Sequence, residues 1–402
     1  MHPKTQDRIF EELSAYLRAG GSTMSEHPRR HSARVYTDRG RAARESQVLF
    51  RKHPLIAAVS AELENRNDFV TRRLAGIPLL LVRDSEGRVR AFHNVCRHRG
   101  NLVCSAAAGN ARSFTCAYHG WTYGADGRCL GFALPENFRG FKSRDFGLRE
   151  VPAEERHGLV WVQLEGAAPA MRSYLGEILD DELAGYAQSR MACFASREDL
   201  LPFNWKLGVE TFLEIYHIDA LHRNTIAPMF SNGAMAYERL GPHQRIAAAR
   251  RSLRGQIDRD GRPSQLADHL TLIYVLFPNT VFLFQRDHIE LFSFFPAASG
   301  PESCLVRTSL IRPRNRVADR AVSHWARNWK IIEDAVYGED FRTVGDVQAN
   351  VSTGAIDDFV YGRNEVALQD YHDTIERVLD GDEGRNGLLL AAAGDGAESR
   401  GQ

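Results

Sequence analysis

Cysteine is scarce in this chain, six among 402 residues, and the scatter of those six excludes a disulfide framework. A surplus of charge is also missing: Lys and Arg total 51, as do Asp and Glu, so no net field draws the protein to nucleic acid or an anionic membrane. Long apolar runs are absent. The longest near the end, Leu388 to Ala393, is far too short to span a bilayer, and Met1 to Ser14 lacks the apolar centre of a signal peptide. A cytoplasmic protein without membrane contact is therefore expected. Internal repeats and low-complexity tracts are absent too. What is present, 43% hydrophobic residues against 25% charged, is ordinary for a globular chain of two or three domains.

The pattern along the chain changes twice. Ile9, Phe10, Leu13, Tyr16 and Leu17 recur at helical spacing before Gly20 and Gly21, which predicts an amphipathic helix. From about Ser60 short β-rich runs take over, including Leu79 to Arg83, the turn Asp84 to Gly87, and Arg88 to Val95. Leu159 to Leu164 closes this module before a Gly166 to Pro169 boundary. A helix is predicted through Asn204 to His222. Strands are predicted over Leu270–Phe277, Val281–Gln285, Ile289–Phe295 and Cys304–Ile311, then long helices near Asp319 and Arg363. Helix, antiparallel sheet, helix is an α+β pattern. The expected division is an N-terminal helix and arm over 1–45, a β-rich domain over 46–166, a catalytic domain over 167–384 and a tail over 385–402.

The β-rich module carries two Cys/His pairs, Cys96-Arg97-His98 and Cys116-Ala117-Tyr118-His119. Structural zinc sites of this composition order a Cys pair before a His pair, whereas here the residues alternate. C-x-H followed by C-x2-H is the ligand pattern of a Rieske 2Fe-2S cluster, in which two thiolates hold one iron and two imidazoles the other. The second loop lacks both an extra cysteine directly before its histidine and a serine after His119-Gly120. Tyr118 and Trp121 occupy those places, so fewer donors to the sulfurs and a lower potential are expected. Cys104, Cys129, Cys193 and Cys304 read as ordinary thiols.

A second metal is suggested by Glu210, Glu214, His217 and His222. Histidines five apart are rotated by about 140° on a regular helix, so both can bind one ion only if the helix bulges or ends there. A carboxylate would complete a two-His-one-carboxylate face on non-haem Fe(II). The stripe Val322, Trp325, Trp329, Ile332, Val336 continues onto Glu339 or Asp340. Asp340, four residues from both Val336 and Val344, is preferred over Glu339, Glu333 and Asp334.

N-W-K, E-x3-E-x2-H-x4-H, Glu339-Asp340-Phe341, Gln348 and Gly362-Arg363-Asn364-Glu365 together resemble the Rieske non-haem iron ring-hydroxylating oxygenases, α subunit, from about residue 45 to 380. The resemblance implies a Rieske domain joined to a helix-grip, START-like catalytic domain. It implies a cluster on Cys96, His98, Cys116 and His119, with mononuclear iron on His217, His222 and Asp340. It also implies a homotrimer, with or without a β subunit, in which one subunit's cluster faces the next subunit's iron. Glu214 stands where the family often has an Asp that bridges the first iron His to a cluster His. It would carry electrons from His119 towards His217, and its longer side chain resembles a branch containing carnitine and choline oxygenases. Glu210 reads either as a further support or as a capping or solvated group.

No G-x-G-x-x-G or plant-type ferredoxin cysteine run is present, so an external NAD(P)H-dependent reductase, with or without a ferredoxin, is expected to supply electrons. The expected reaction is hydroxylation of an aromatic or other apolar substrate by dioxygen, with dealkylation or quaternary-amine monooxygenation as the alternative. Met229, Phe230, Phe282, Phe284, Phe292 and Phe294 are candidate pocket residues, about half of the strand positions being core only. Arg286 and Arg307 read as surface charges. A reading of another class is a non-catalytic electron carrier fused to a START-like binding domain.

Overall fold

A computed structural model describes residues 1–186, 191–259, 261–314 and 319–381. The chain divides into two compact units, one of residues 50–171 with 191–193 and one of the remainder. The tail assigned to 385–402 lies outside the described residues.

The first unit is antiparallel β. A five-stranded sheet is built on the hairpin Asp68–Leu74 and Ile77–Arg83, and a three-stranded sheet holds Leu55–Val59 against Leu159–Val162. The hairpin closes on Ala75 and Gly76, both at positive φ, the backbone whose twist suits a two-residue turn. At the predicted Asp84–Gly87 turn, the Asp84 carboxylate accepts from the backbone of Glu86 and Arg88 while Gly87 takes φ 85°. A separate three-stranded sheet, Ser113–Thr115, Thr122–Gly124 and Cys129–Gly131, carries the second Cys/His pair on the turn between its first two strands.

The second unit is a seven-stranded antiparallel sheet, with Ile289–Ala297 and Gly300–Pro313 as its most extensive pair. The N-terminal stretch packs here rather than forming a separate arm. Its helix Pro3–Ala19 buries Ile9, Leu13 and Leu17, and the Leu17 carbonyl accepts from Arg254 Nη1 at 2.6 Å. Further along the stretch, Lys206 Nζ donates to both oxygens of Glu45 at 2.9 and 2.8 Å, a pair removed entirely from water. Tyr36 reaches Glu210 in the same interior.

Two departures from the expected helices shape the site. The helix predicted over Asn204–His222 is two pieces, Trp205–Glu210 and Ile218–Leu221, joined by irregular chain. Asn204 caps the first, its side-chain oxygen accepting from Lys206 N. The helix near Asp319 runs through Ile331 and continues to Ser352, but Ile332–Asp340 is wound as a π-helix, with Phe341 N bonding to Val336 O five residues back. Wide turns of this kind recur at functional sites because they realign side chains that a regular helix would separate. Of the predicted stripe, Val322 is exposed while Trp325, Ile332 and Val336 are buried.

Candidate metal centres and substrate cavity

In the β unit the two ligand loops share one backbone frame despite unequal spacing. Cys96 N donates to Asn101 O and Gly100 N to Cys96 O, while Cys116 N donates to Trp121 O and Gly120 N to Cys116 O. Gly100 and Gly120, at φ 81° and 68°, supply the left-handed residue that closes each loop. The histidine stands at the second loop position in one and the third in the other, which brings His98 Nδ1 and His119 Nδ1 to 3.1 Å. Both thiols are buried and unbridged, and the His98 ring stacks on Trp121 at 5.0 Å. Two thiols behind two convergent imidazole nitrogens is the donor set a Rieske cluster requires.

Two side chains nonetheless stand beside the ligand sulfurs. Tyr123 Oη accepts from Arg97 N at 2.9 Å and lies 3.3 Å from Cys96 Sγ, so its own proton is free for the sulfur. Asn101 Nδ2 lies 3.7 Å from Cys116 Sγ. A donor to a ligand sulfur stabilises the reduced cluster. Tyr123→Phe is therefore expected to lower the cluster potential by about 40 mV, one net hydrogen bond of about 1 kcal/mol for a one-electron couple. A redox titration followed by EPR measures it, and an unchanged midpoint would remove Tyr123 from the account.

In the second unit the break in the predicted helix leaves His217 just before Ile218–Leu221 and His222 just after it. Their ring centroids are 5.1 Å apart. The π-helix presents Asp340 to both: Oδ1 lies 2.9 Å from His222 Nε2 and 3.5 Å from His217 Nε2. Among the described residues these three form the one group of His, Cys, Asp or Glu whose ligand atoms gather tightly enough for a single metal ion, one atom from each falling within 4.8 Å.

Each imidazole is held from behind. His217 Nδ1 bonds Glu214 Oε1, while Glu214 Oε2 accepts from the backbone of Tyr216 and His217. His222 Nδ1 donates to Glu339 Oε2 at 2.6 Å, which Thr225 Oγ1 also reaches at 2.6 Å. Carboxylates on both Nδ1 atoms leave both Nε2 lone pairs facing Asp340, the tautomer a metal needs. Glu339, an alternative ligand in the sequence, thus sits behind a histidine instead. Burial opposes charge on His217, yet the bond to Glu214 and the fields of Glu214 and Asp340 raise its pKa. Burial pushes the Asp340 carboxyl up against the pull of His222 and His217. The site attracts a cation, and its donors fit mononuclear iron.

Glu210 is not a solvated or capping group. It is buried, accepting from Tyr36 Oη at 2.9 Å and lying 3.0 Å from His372 Nε2. Burial lifts its carboxyl to about 7.

A cavity of about 580 Å³ opens on His217, His222 and Asp340. Met229 and Phe230 line it as expected, and Phe282, Phe284, Phe292 and Phe294 do not. Strand alternation explains the first two: Leu283 faces the cavity, so Phe282 and Phe284 point through the other face, where Phe284 stacks on Tyr186 at 4.1 Å. Phe292 and Phe294 share the face of Glu290 but are sealed beneath the helix Trp205–Glu210. Phe292 packs on Phe212 at 4.8 Å, and Phe294 lies so close to Gly208 that a Cβ there would enter its ring.

Part of the cavity wall is polar. Thr271, Gln285, Asp287, His288, Glu290, His324 and Asn328 reach it, together with Arg250. Burial opposes charge on His288, but its bonds to Asp287 and Glu290 win and raise its pKa to about 9, so it is an imidazolium at neutral pH. Of the two arginines read as surface charges, Arg307 is buried and paired with Glu198 at 2.6 Å, while Arg286 is exposed at the cavity edge. Arg250 was not singled out by the sequence. The one available signal was a charge closing the apolar run Ile246–Ala249.

Residues 179–381 match the ring hydroxylating alpha subunit catalytic domain, and residues 53–142 match the Rieske 2Fe-2S domain. The chain belongs to the Rieske ring-hydroxylating oxygenase α subunits. It is an oxidoreductase whose cofactors are a Rieske 2Fe-2S cluster and mononuclear iron. It is 27% identical to a glycine betaine monooxygenase oxygenase subunit of Chromohalobacter salexigens, over 86% of this chain and 85% of that one. It is 32% identical to the biphenyl 2,3-dioxygenase α subunit of Rhodococcus jostii, over 54% of this chain but only 46% of that protein. In fold, this oxygenase subunit superposes on a quaternary ammonium Rieske monooxygenase with a TM-score of 0.74 at 19% identity, covering 91% of this chain and 98% of that one. Naphthalene 1,2-dioxygenase from Rhodococcus gives 0.73 at 17% identity, covering 95% and 100%. No described helix is long and apolar enough to cross a membrane.

Proposed function

We propose that this α subunit is a terminal oxygenase component that hydroxylates a small organic molecule in the cavity beside His217, His222 and Asp340. In this reading those three side chains hold the iron, and Cys96, His98, Cys116 and His119 hold the cluster. The observation that carries it is the convergence of both Nε2 atoms on one Asp340 oxygen at the wall of the cavity. When bound, the iron supplies the open positions at which dioxygen is activated for insertion into substrate. Glu214 and Glu339 fix the two rings, and Phe212, Ile218 and Val336 give the reacting end an apolar wall that limits water.

Arenes and quaternary amines are both substrates of proteins similar in sequence. The polar lining and the near full-length likeness to a glycine betaine monooxygenase subunit support a substrate with a polar end, oxidised at a methyl or other aliphatic carbon. Ring hydroxylation remains the second reading, supported by Phe212 and Phe230 at the cavity. A cytoplasmic homotrimer fed by an external NAD(P)H-dependent reductase completes the proposal. Product analysis with labelled dioxygen, using a panel of aromatic and N-methylated compounds, tests it. Monooxygenation places one labelled atom in the product and dihydroxylation two. No labelled product from any compound, with both metals present and reduced, would contradict the oxygenase site.

A further inference from the structure

The cavity wall holds a cation with no carboxylate in ion-pair contact among the described residues. Arg250 ends the strand His243–Arg250 and reaches into the cavity beside Thr271 and Gln285. Its Nε donates to Thr271 Oγ1 at 3.2 Å and its Nη2 to Gln285 Oε1, both neutral acceptors. The acids nearby are engaged elsewhere: Asp287 with His288 and His324, Glu290 with His288, and Asp268 with Arg286. Among the described residues no carboxylate comes within 4.0 Å of Arg250. Burial accordingly pulls its pKa below the usual guanidinium value, more than the fields of Glu290 and Asp287 restore. A guanidinium has five N–H donors, and Nη1 is neither bonded by a described residue nor enclosed by one.

Charges withdrawn from water persist where a partner or ligand compensates them. We propose that Arg250 is the anchor for a substrate carboxylate, so that this oxygenase acts on small organic acids held by their anionic end while the carbon to be oxidised lies towards His217, His222 and Asp340. The proposal rests on the oxygenase reading of the same cavity. Thr271 and Gln285 take Nε and one N–H of Nη2, which leaves Nη1 and the second N–H of Nη2 side by side for the ligand. A planar cation held this way recognises a carboxylate by paired hydrogen bonds, whereas a lysine would offer only a point charge. The neighbouring acids Asp287 and Glu290, already bonded to His288, repel an anion that strays from Arg250 and so help fix its position.

The test compares each acid with its uncharged amide on the iron-loaded holoenzyme under anaerobic conditions. Benzoate with benzamide and trimethylaminoacetate with its amide are the probes, and Kd is read by calorimetry. At least one acid should bind about ten- to hundredfold more tightly than its amide, the worth of a charge-assisted hydrogen-bond pair. Arg250→Gln should bring that ratio close to one, and Arg250→Lys should recover part of it. Neither acid preferred over its amide, or a preference that survives intact in Arg250→Gln, would overturn the assignment. Iron and sulfide content and substrate-dependent oxygen uptake, measured on the same preparations, separate this outcome from failure of the oxygenase reading. Binding ratios need no turnover, so each result stands apart from the other.

Discussion

Asp340→Ala is expected to leave a red-brown protein with its cluster signal intact, about two irons per chain instead of about three, and turnover reduced at least about a thousandfold. Among the described residues Asp340 supplies the one carboxylate oxygen that faces both Nε2 atoms, at 2.9 and 3.5 Å. Its loss removes one of the protein ligands and the negative charge that makes the pair of imidazoles a cation site. Supports behind ligands are worth about ten- to a hundredfold in metal affinity, and a ligand is worth more. The cluster residues belong to the other compact unit. Visible and EPR spectra with iron analysis check the prediction. A variant that kept all its iron and its turnover would remove Asp340 from the site.

Glu214→Gln is expected to weaken mononuclear iron binding about tenfold and, at saturating iron, to slow substrate-dependent oxidation of the reduced cluster about ten- to a hundredfold. One Glu214 oxygen bonds His217 Nδ1 while the other accepts from the backbone of Tyr216 and His217. A glutamine has one acceptor oxygen to serve both tasks, and its amide cannot stabilise positive charge on His217. We propose that the same carboxylate also bridges towards a cluster histidine of a neighbouring subunit, a reading in which both the ring's orientation and the electron path depend on it. Single-turnover stopped-flow on iron-loaded protein separates the effects. A slowed rate at full iron assigns Glu214 to the path, and an unchanged rate confines it to supporting His217.

Much of this was legible because it depends on residue type and local spacing. The alternating Cys/His order and the glycine after each pair carry the cluster loops almost alone. For His217 and His222 to share one metal across a five-residue gap the helix had to bulge or end there, and the short helix between them ends at His222. Asp340 came from a helical stripe whose regular geometry the molecule does not keep, since its π-wound turn sets Glu339 and Asp340 on the two nitrogens of one ring. Roles that depend on distant partners stayed hidden. Tyr123 meets Cys96 across two loops, Glu210 meets Tyr36 and His372 from far along the chain, and Arg250 becomes informative only once its neighbours are seen to be committed elsewhere. Phe282, Phe284, Phe292 and Phe294 were misplaced because aromatic content does not reveal which strand face is enclosed and which part of it a helix has already covered.

The most direct measurement is iron and acid-labile sulfide per chain in the purified protein beside Asp340→Ala. The account predicts about three irons and two sulfides for the first, and about two irons and two sulfides for the second. Zinc in place of iron, or two irons in both proteins, would contradict it.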